Sequence, residues 1–195
     1  MRVVDLNRDG ARTLLATVGT GYELKPRGLY CFDYETGTLL WRHDTGPYLT
    51  EVMPVDFEHD GILKVIAGSH AVNNGNHADD GTDDSHSYVY ALSSEGRALW
   101  TRQFEGPFSL THPLVAHIGC GSQDALLVWV TGSHLYRQDQ AKPEVGNILR
   151  IDAQGATFAT YDAGARLINC VAVDLDERPL ATTAGFERSW VLTPY

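Results

Sequence analysis

Apolar and polar residues alternate with a period of two along most of this chain, and Gly, Asp and Asn interrupt the alternation at short intervals. No segment carries a convincing helical period, so the pattern predicts an all-β protein. "GLYCFDYETGTLLWRHDTG" from Gly28, "SYVYALSSEGRALWTRQFEG" from Ser87 and "GNILRIDAQGATFATYDAG" from Gly146 each read as a hairpin, with turns at Gly37, Gly96 and Gly155. The return strand of each carries an aromatic close behind the turn: Trp41, Trp100 or Phe158.

A second hairpin precedes each of these. "VVDLNRDGARTLLATVG" from Val3 matches "PVDFEHDGILKVIAGS" from Pro54, and looser copies begin at Leu114 and Val171. Four short antiparallel strands recurring about every 50–60 residues fit the blades of a β-propeller better than an irregular sandwich. A lone four-stranded sheet cannot bury both faces, so each blade needs a neighbour, and Trp41 and Trp100 are placed to fill the gaps. Expected blades are 1–46, 49–106, 109–164 and 167–195. The last lacks its fourth strand and the first begins inside its first strand, giving about three and three-quarter blades. Raw strand edges at both ends favour a segment of a larger propeller; a small four-bladed ring, completed by another chain, is the competing reading.

Composition narrows the partners. Among 195 residues, 25 are acidic and 15 basic, a net charge of -10 that argues against nucleic acid and suits a cation or a neutral polymer. No run approaches the roughly 20 apolar residues of a membrane span, so membrane insertion is not expected. Cys31, Cys120 and Cys170 are too scattered for a disulfide framework or a zinc knuckle and read as small buried apolar residues.

The turn "DLNRDG" and its following strand resemble the FG-GAP repeats of integrin-type propellers, while "LYCFDYETGTLLW" and "VYALSSEGRALW" resemble quinoprotein-like (PQQ-like) blades. The resemblance spans essentially the whole chain. It implies a propeller repeat module of a larger bacterial protein in an extracytoplasmic setting, and it specifies the fold better than the activity. It also implies calcium at Asp5, Asn7 and Asp9, which hold alternate positions before Gly10. Thr13 replaces the carboxylate of the ninth position, and the same residues equally suit a turn whose side chains cap backbone N–H groups. The second copy, with Asp56, Glu58 and Asp60, has Lys64 at that ninth place.

In such blades the calcium-like turns lie on one face and the long second-to-third-strand loops on the other, forming a crown. Glu51, His112 and Asn169, equivalent across the repeat, are expected to ring the mouth of the channel on the crown side. The loop "HAVNNGNHADDGTDDSHSY" overhangs them with His70, His77, Asp79, Asp80, Asp83, Asp84 and His86, of which Asp84 and His86 stand just before a strand. These residues suit a ligand or metal pocket, and they suit an ordinary solvated loop. No G-x-S-x-G, cysteine–histidine arrangement or phosphate-cradling loop is present. The leading expectation is a non-enzymatic scaffold or recognition module that binds a protein or glycan through the crown. The alternative is a metal-dependent polysaccharide lyase, with Lys25, Arg27, Arg137 and Lys142 available to neutralise an acidic substrate. A quinone-dependent dehydrogenase would need adjacent cysteines that the chain lacks.

Overall fold

The computed structural model describes residues 1–20, 24–57, 60–104, 106–117, 124–131, 146–162, 167–172 and 190–194. Among them there is no helix. The strands are β1 (Arg2–Val4), β2 (Thr13–Val18), β3 (Gly28–Asp33), β4 (Leu39–Asp44), β5 (Tyr48–Val55), β6 (Lys64–His70), β7 (Tyr88–Leu92), β8 (Ala98–Gln103), β9 (Leu110–His117), β10 (Asp124–Thr131), β11 (Gly146–Ile151), β12 (Thr157–Asp162), β13 (Leu167–Ala172) and β14 (Trp190–Pro194). Every pairing is antiparallel, and each strand pairs with its successor in chain order within the groups β1–β4, β5–β8 and β9–β12. β13 and β14 form a two-stranded sheet. Among the described residues one pairing, His70 with Leu110, joins the second group to the third.

Side-chain alternation decides how the groups stack. Val65 and Ala67 of β6 and Tyr88, Tyr90 and Leu92 of β7 pack with Leu15, Leu29 and Cys31 of the first group. The intervening Ile66, Val89 and Ala91 pack with Val128, Val130 and Ile151 of the third. The middle sheet is therefore covered on both faces, which is why every residue of β7 is buried and its sequence, "YVYAL", contains no charge. Complete burial of each of its large apolar side chains contributes about 1.5–3 kcal/mol. Cys31 lies fully inside the first of these layers, and burial raises its thiol pKa.

Two tryptophans tie successive sheets together in the same way. Trp41 Nε1 donates to the Ser94 carbonyl at 2.9 Å, and Trp100 Nε1 donates to the Ala153 carbonyl at 2.7 Å; each bond spans 53 residues. Each indole lies on a turn glycine of the next unit. A Cβ at Gly96 would come 2.4 Å from the Trp41 ring, and one at Gly155 would come 2.9 Å from Trp100.

Phe158 is not the third member of this series. A bulge in each hairpin leaves Leu40, Leu99 and Phe158 unpaired and exposed, while Trp41 pairs with Cys31, Trp100 with Ala91 and Ala159 with Arg150. The inward position of the third hairpin is thus Ala159, because one bulged residue is enough to reverse the face.

Candidate functional site

The antiparallel register puts two kinds of connection at opposite ends of the sheets. The turns at Asp5–Gly10, Asp56–Gly61, Gly37, Gly96 and Gly155 lie at one end; the loop from Ala71 to Ser87, the start of β3 and the ends of β4, β6 and β8 lie at the other. The polar residues singled out in the sequence gather mostly at this second end.

The long loop is folded against the first unit by its own carboxylates. Asp84 is buried, and its Oδ2 accepts from Arg27 Nη1 at 2.9 Å and from the Asn74 N–H, while Oδ1 accepts from the Gly75 N–H at 3.0 Å. Arg27, just ahead of β3, is only 1% exposed; it also donates to the Gly46 carbonyl and to Asn74 Oδ1, and its guanidinium lies 4.2 Å from the Tyr48 ring centre. Gly46 allows this approach, because a Cβ there would meet the Asp83 backbone at 2.6 Å. Asn76 Nδ2 bonds the carbonyls of Thr45 and Gly46, and Thr82 Oγ1 accepts from the Gly46 N–H. His43 of β4 reaches Asp80 at 3.3 Å and sits edge-on to Tyr90. Burial works against charge on Asp80, but the nearby His43 imidazole and the hydrogen bonds from Thr82 outweigh it and hold the carboxyl below its ordinary range. His77 and Asp79 are exposed, and His77 pairs with Asp83 through the backbone.

Glu51, His70 and His112 do come together. His112 Nδ1 lies 3.3 Å from Glu51 Oε1 across β5 and β9, and His70, at the end of β6, stands close enough to feel the charge of His112. Burial lowers the His70 pKa, with repulsion from His112 adding to it. Burial also lowers that of His112, against an opposing pull from Glu51. Both imidazoles are therefore favoured as neutral acceptor–donor groups at pH 7. Beneath them a knot of buried hydroxyls joins the second unit to the third: Ser69 and Thr111 bond the backbone of Tyr88, and Ser109 Oγ donates to Ser87 Oγ. The pairing of Asn169 with Thr193 is described, but its side chain lies outside the described residues, as do Arg137 and Lys142.

His86 has a different setting. Its Nδ1 lies 3.0 Å from Asp83 Oδ1, which also accepts from the Ser85 N–H and hydroxyl. Burial opposes charge on Asp83, yet the hydrogen bonds of Ser85 and His86 prevail and hold its carboxyl below the ordinary range. A carboxylate at Nδ1 selects the tautomer with the proton there and leaves Nε2 a lone pair. His86 lines an open groove of ≈ 390 Å³ between the second and third units, shared with Gln103, Phe104, Val130, Asn147 and Leu149. A smaller cleft, ≈ 240 Å³, lies where the first unit meets the long loop, bordered by Lys25, Tyr30, Arg42, Asp44, Ala78 and Asp79.

At the opposite end, Asp5 accepts from the N–H groups of Asp9 and Gly10, and Asp9 from that of Ala11, while Asn7 is exposed. Asp56 and Asp60 make the same three bonds to Asp60, Gly61 and Ile62, with Lys64 lying 3.5 Å from Asp60. An ammonium beside the second turn would repel a cation, so this hydrogen-bonded geometry is one the turn adopts without a metal. Among the described residues no three His, Cys, Asp or Glu side chains converge as a metal would require. In the first turn Asp5 and Asp9 likewise cap backbone N–H groups.

No family model matches the chain, and no curated protein matches it by sequence. Sequence reasoning missed the structural importance of Arg27, His43 and Asn76. Arg27 stood out only as a loop cation, and nothing in its local pattern marks a partner 57 residues away.

Proposed function

We propose that the chain is a β-propeller segment that works as a recognition module, binding a protein or glycan partner at the end of the sheets that carries the long loop. The repeated seating of Trp41 on Gly96 and Trp100 on Gly155 is the observation that carries the propeller reading. It is one contact reused between successive four-stranded units, as radial stacking of like blades demands. A middle sheet covered on both faces favours stacked blades over a two-layer sandwich. Kinship with the FG-GAP and quinoprotein-like families, and an extracytoplasmic setting, belong to the same proposal.

The recognition reading is supported by the loop's internal bonding. Asp80, Asp83 and Asp84 hold the backbone and neighbouring units in place, so the surface they build is shaped in advance and loses little entropy when a partner binds. The lyase reading draws on the Asp83–His86 pair, whose Nε2 has the character of a base. It is the weaker reading, because among the described residues no Lys or Arg lines the His86 groove to neutralise a uronate carboxylate. The test presents the immobilised chain with protein, neutral-glycan and acidic-glycan libraries while following the absorbance of unsaturated uronate products. Retention of a partner without a rise in absorbance is the expected result. Progressive cleavage of an acidic polysaccharide would replace this reading with the lyase, and failure to retain any partner class would remove it.

A further inference from the structure

We propose that the groove between the second and third units is a binding site for a neutral, hydroxyl-rich ligand, a pyranose unit of a glycan, with His86 Nε2 accepting one of its hydroxyls. The inference rests on the recognition reading and assigns it a place and a ligand class. At ≈ 390 Å³ the groove falls within the roughly 300–1,000 Å³ usual for small-molecule sites, whereas the ≈ 240 Å³ cleft beside Lys25 does not.

Its lining decides the chemistry. Asn147 presents an amide oxygen and an amide NH₂, and Gln103 an amide NH₂ beside an oxygen that accepts from the Tyr88 hydroxyl at 3.5 Å, a donor–acceptor set that matches vicinal hydroxyls. Phe104, Val130 and Leu149 supply the apolar wall against which the C–H face of a sugar ring loses water. Among the described residues that line the groove, His86 alone has an ionisable side chain, and the chain's net charge of -10 repels anions at long range. Among the described residues an ionic ligand would meet no fixed counter-charge in this groove, which is unfavourable. His86 is also oriented in advance. Asp83 Oδ1 engages Nδ1 at 3.0 Å and is itself anchored by the Ser85 N–H at 2.8 Å, so the ring's acceptor nitrogen is fixed before the ligand arrives. Among the described residues Nε2 has no hydrogen-bond partner of its own. The groove is assembled from β8, β10, β11 and the residues before β7, so it exists only where two units meet.

The experiment is calorimetric titration of the full chain with neutral oligosaccharides (malto-, cello-, xylo-, manno- and galacto-series) and, in parallel, with oligogalacturonate. At least one neutral series is expected to bind, and His86→Ala and Asn147→Ala should each weaken it about tenfold, the equivalent of about 1.4 kcal/mol. Lys25→Ala, in the separate cleft, should leave it unchanged. Thermal unfolding of the variants establishes that each is folded; Asn147→Ser provides a second, smaller truncation if Asn147→Ala is not. Binding that survives both groove substitutions, or that Lys25→Ala abolishes, would overturn the site while leaving the recognition reading intact. Preference for oligogalacturonate, or no neutral sugar bound at millimolar concentration, would overturn the ligand class. Retention of a protein partner in the library screen would then still support the broader reading.

Discussion

The two junctions between units are built from the same repeat and end differently. Between the first and second units, the loop before β7 closes down, and its polar groups are engaged by Arg27, Gly46, His43 and one another. Between the second and third, a tryptophan seat and a hydroxyl knot hold the sheets, and His86, Gln103 and Asn147 are left at an open groove. A clustered run of His and Asp therefore does not by itself indicate chemistry. What matters is whether the partners of each side chain lie within the protein. At the first junction those of Arg27, Asp80 and Asp84 do, while Asn76 Oδ1 and the Tyr90 hydroxyl are buried there without a hydrogen bond among the described residues.

The largest test of this contrast is at Arg27. Arg27→Met leaves the Asp84 carboxylate buried without its cation, and removal of one partner from such a pair costs about 3–5 kcal/mol. Urea unfolding should show that loss, while a change under about 1 kcal/mol would mean that the pair is solvated and the junction loose. Next is Gly96→Ala, which drives a Cβ into the Trp41 indole at a residue with φ +78. Overpacking of this kind costs about 1–3 kcal/mol. Gly155→Ala, with a 2.9 Å contact in place of 2.4 Å, should lose less, and the reverse order of melting temperatures would contradict the seating described.

Smaller still is the pH dependence. His70 and His112 have folded pKa values below the unfolded value of about 6.5, so the unfolded chain takes up protons first on acidification. Stability is complete above about pH 6.5 and declines as pH falls from there toward the folded values, by no more than about 1.4 kcal/mol per pH unit for each histidine. His112→Gln should flatten the decline. Glu51→Gln should extend it to lower pH, because Glu51 is the one group raising His112; a flat profile in the native chain would exclude this account. The smallest effect belongs to Asp5→Ala, which removes two exposed caps and should cost about 1 kcal/mol, with melting unchanged by millimolar calcium or by chelator. A rise of several degrees with calcium would restore the metal reading of that turn.

The all-β class, the hairpins and the inter-sheet role of Trp41 and Trp100 were legible, because period-two alternation and turn glycines are local signals. So was the meeting of Glu51 with His112, through repeat equivalence. The outward exposure of Phe158, unlike the two tryptophans, was not legible, because a one-residue bulge changes the face and sequence spacing does not reveal a bulge. The fate of the acidic loop was not legible either. Asp84 and Asp83 are near neighbours in sequence with the same charge, yet one faces a buried guanidinium and the other orients an imidazole beside a groove. That division depends on Arg27 and Gly46, which belong to another unit.

Hydrogen–deuterium exchange across residues 71–87 tests the closed first junction most directly. The amides of Asn73, Asn74, Gly75 and Asp84 have acceptors inside the loop. They should exchange slowly in the native chain and rapidly in Arg27→Met, with the strand amides of β7 protected in both. Exchange in the native chain as fast as in an open loop would show that the loop is not held, and the contrast between the junctions would fall.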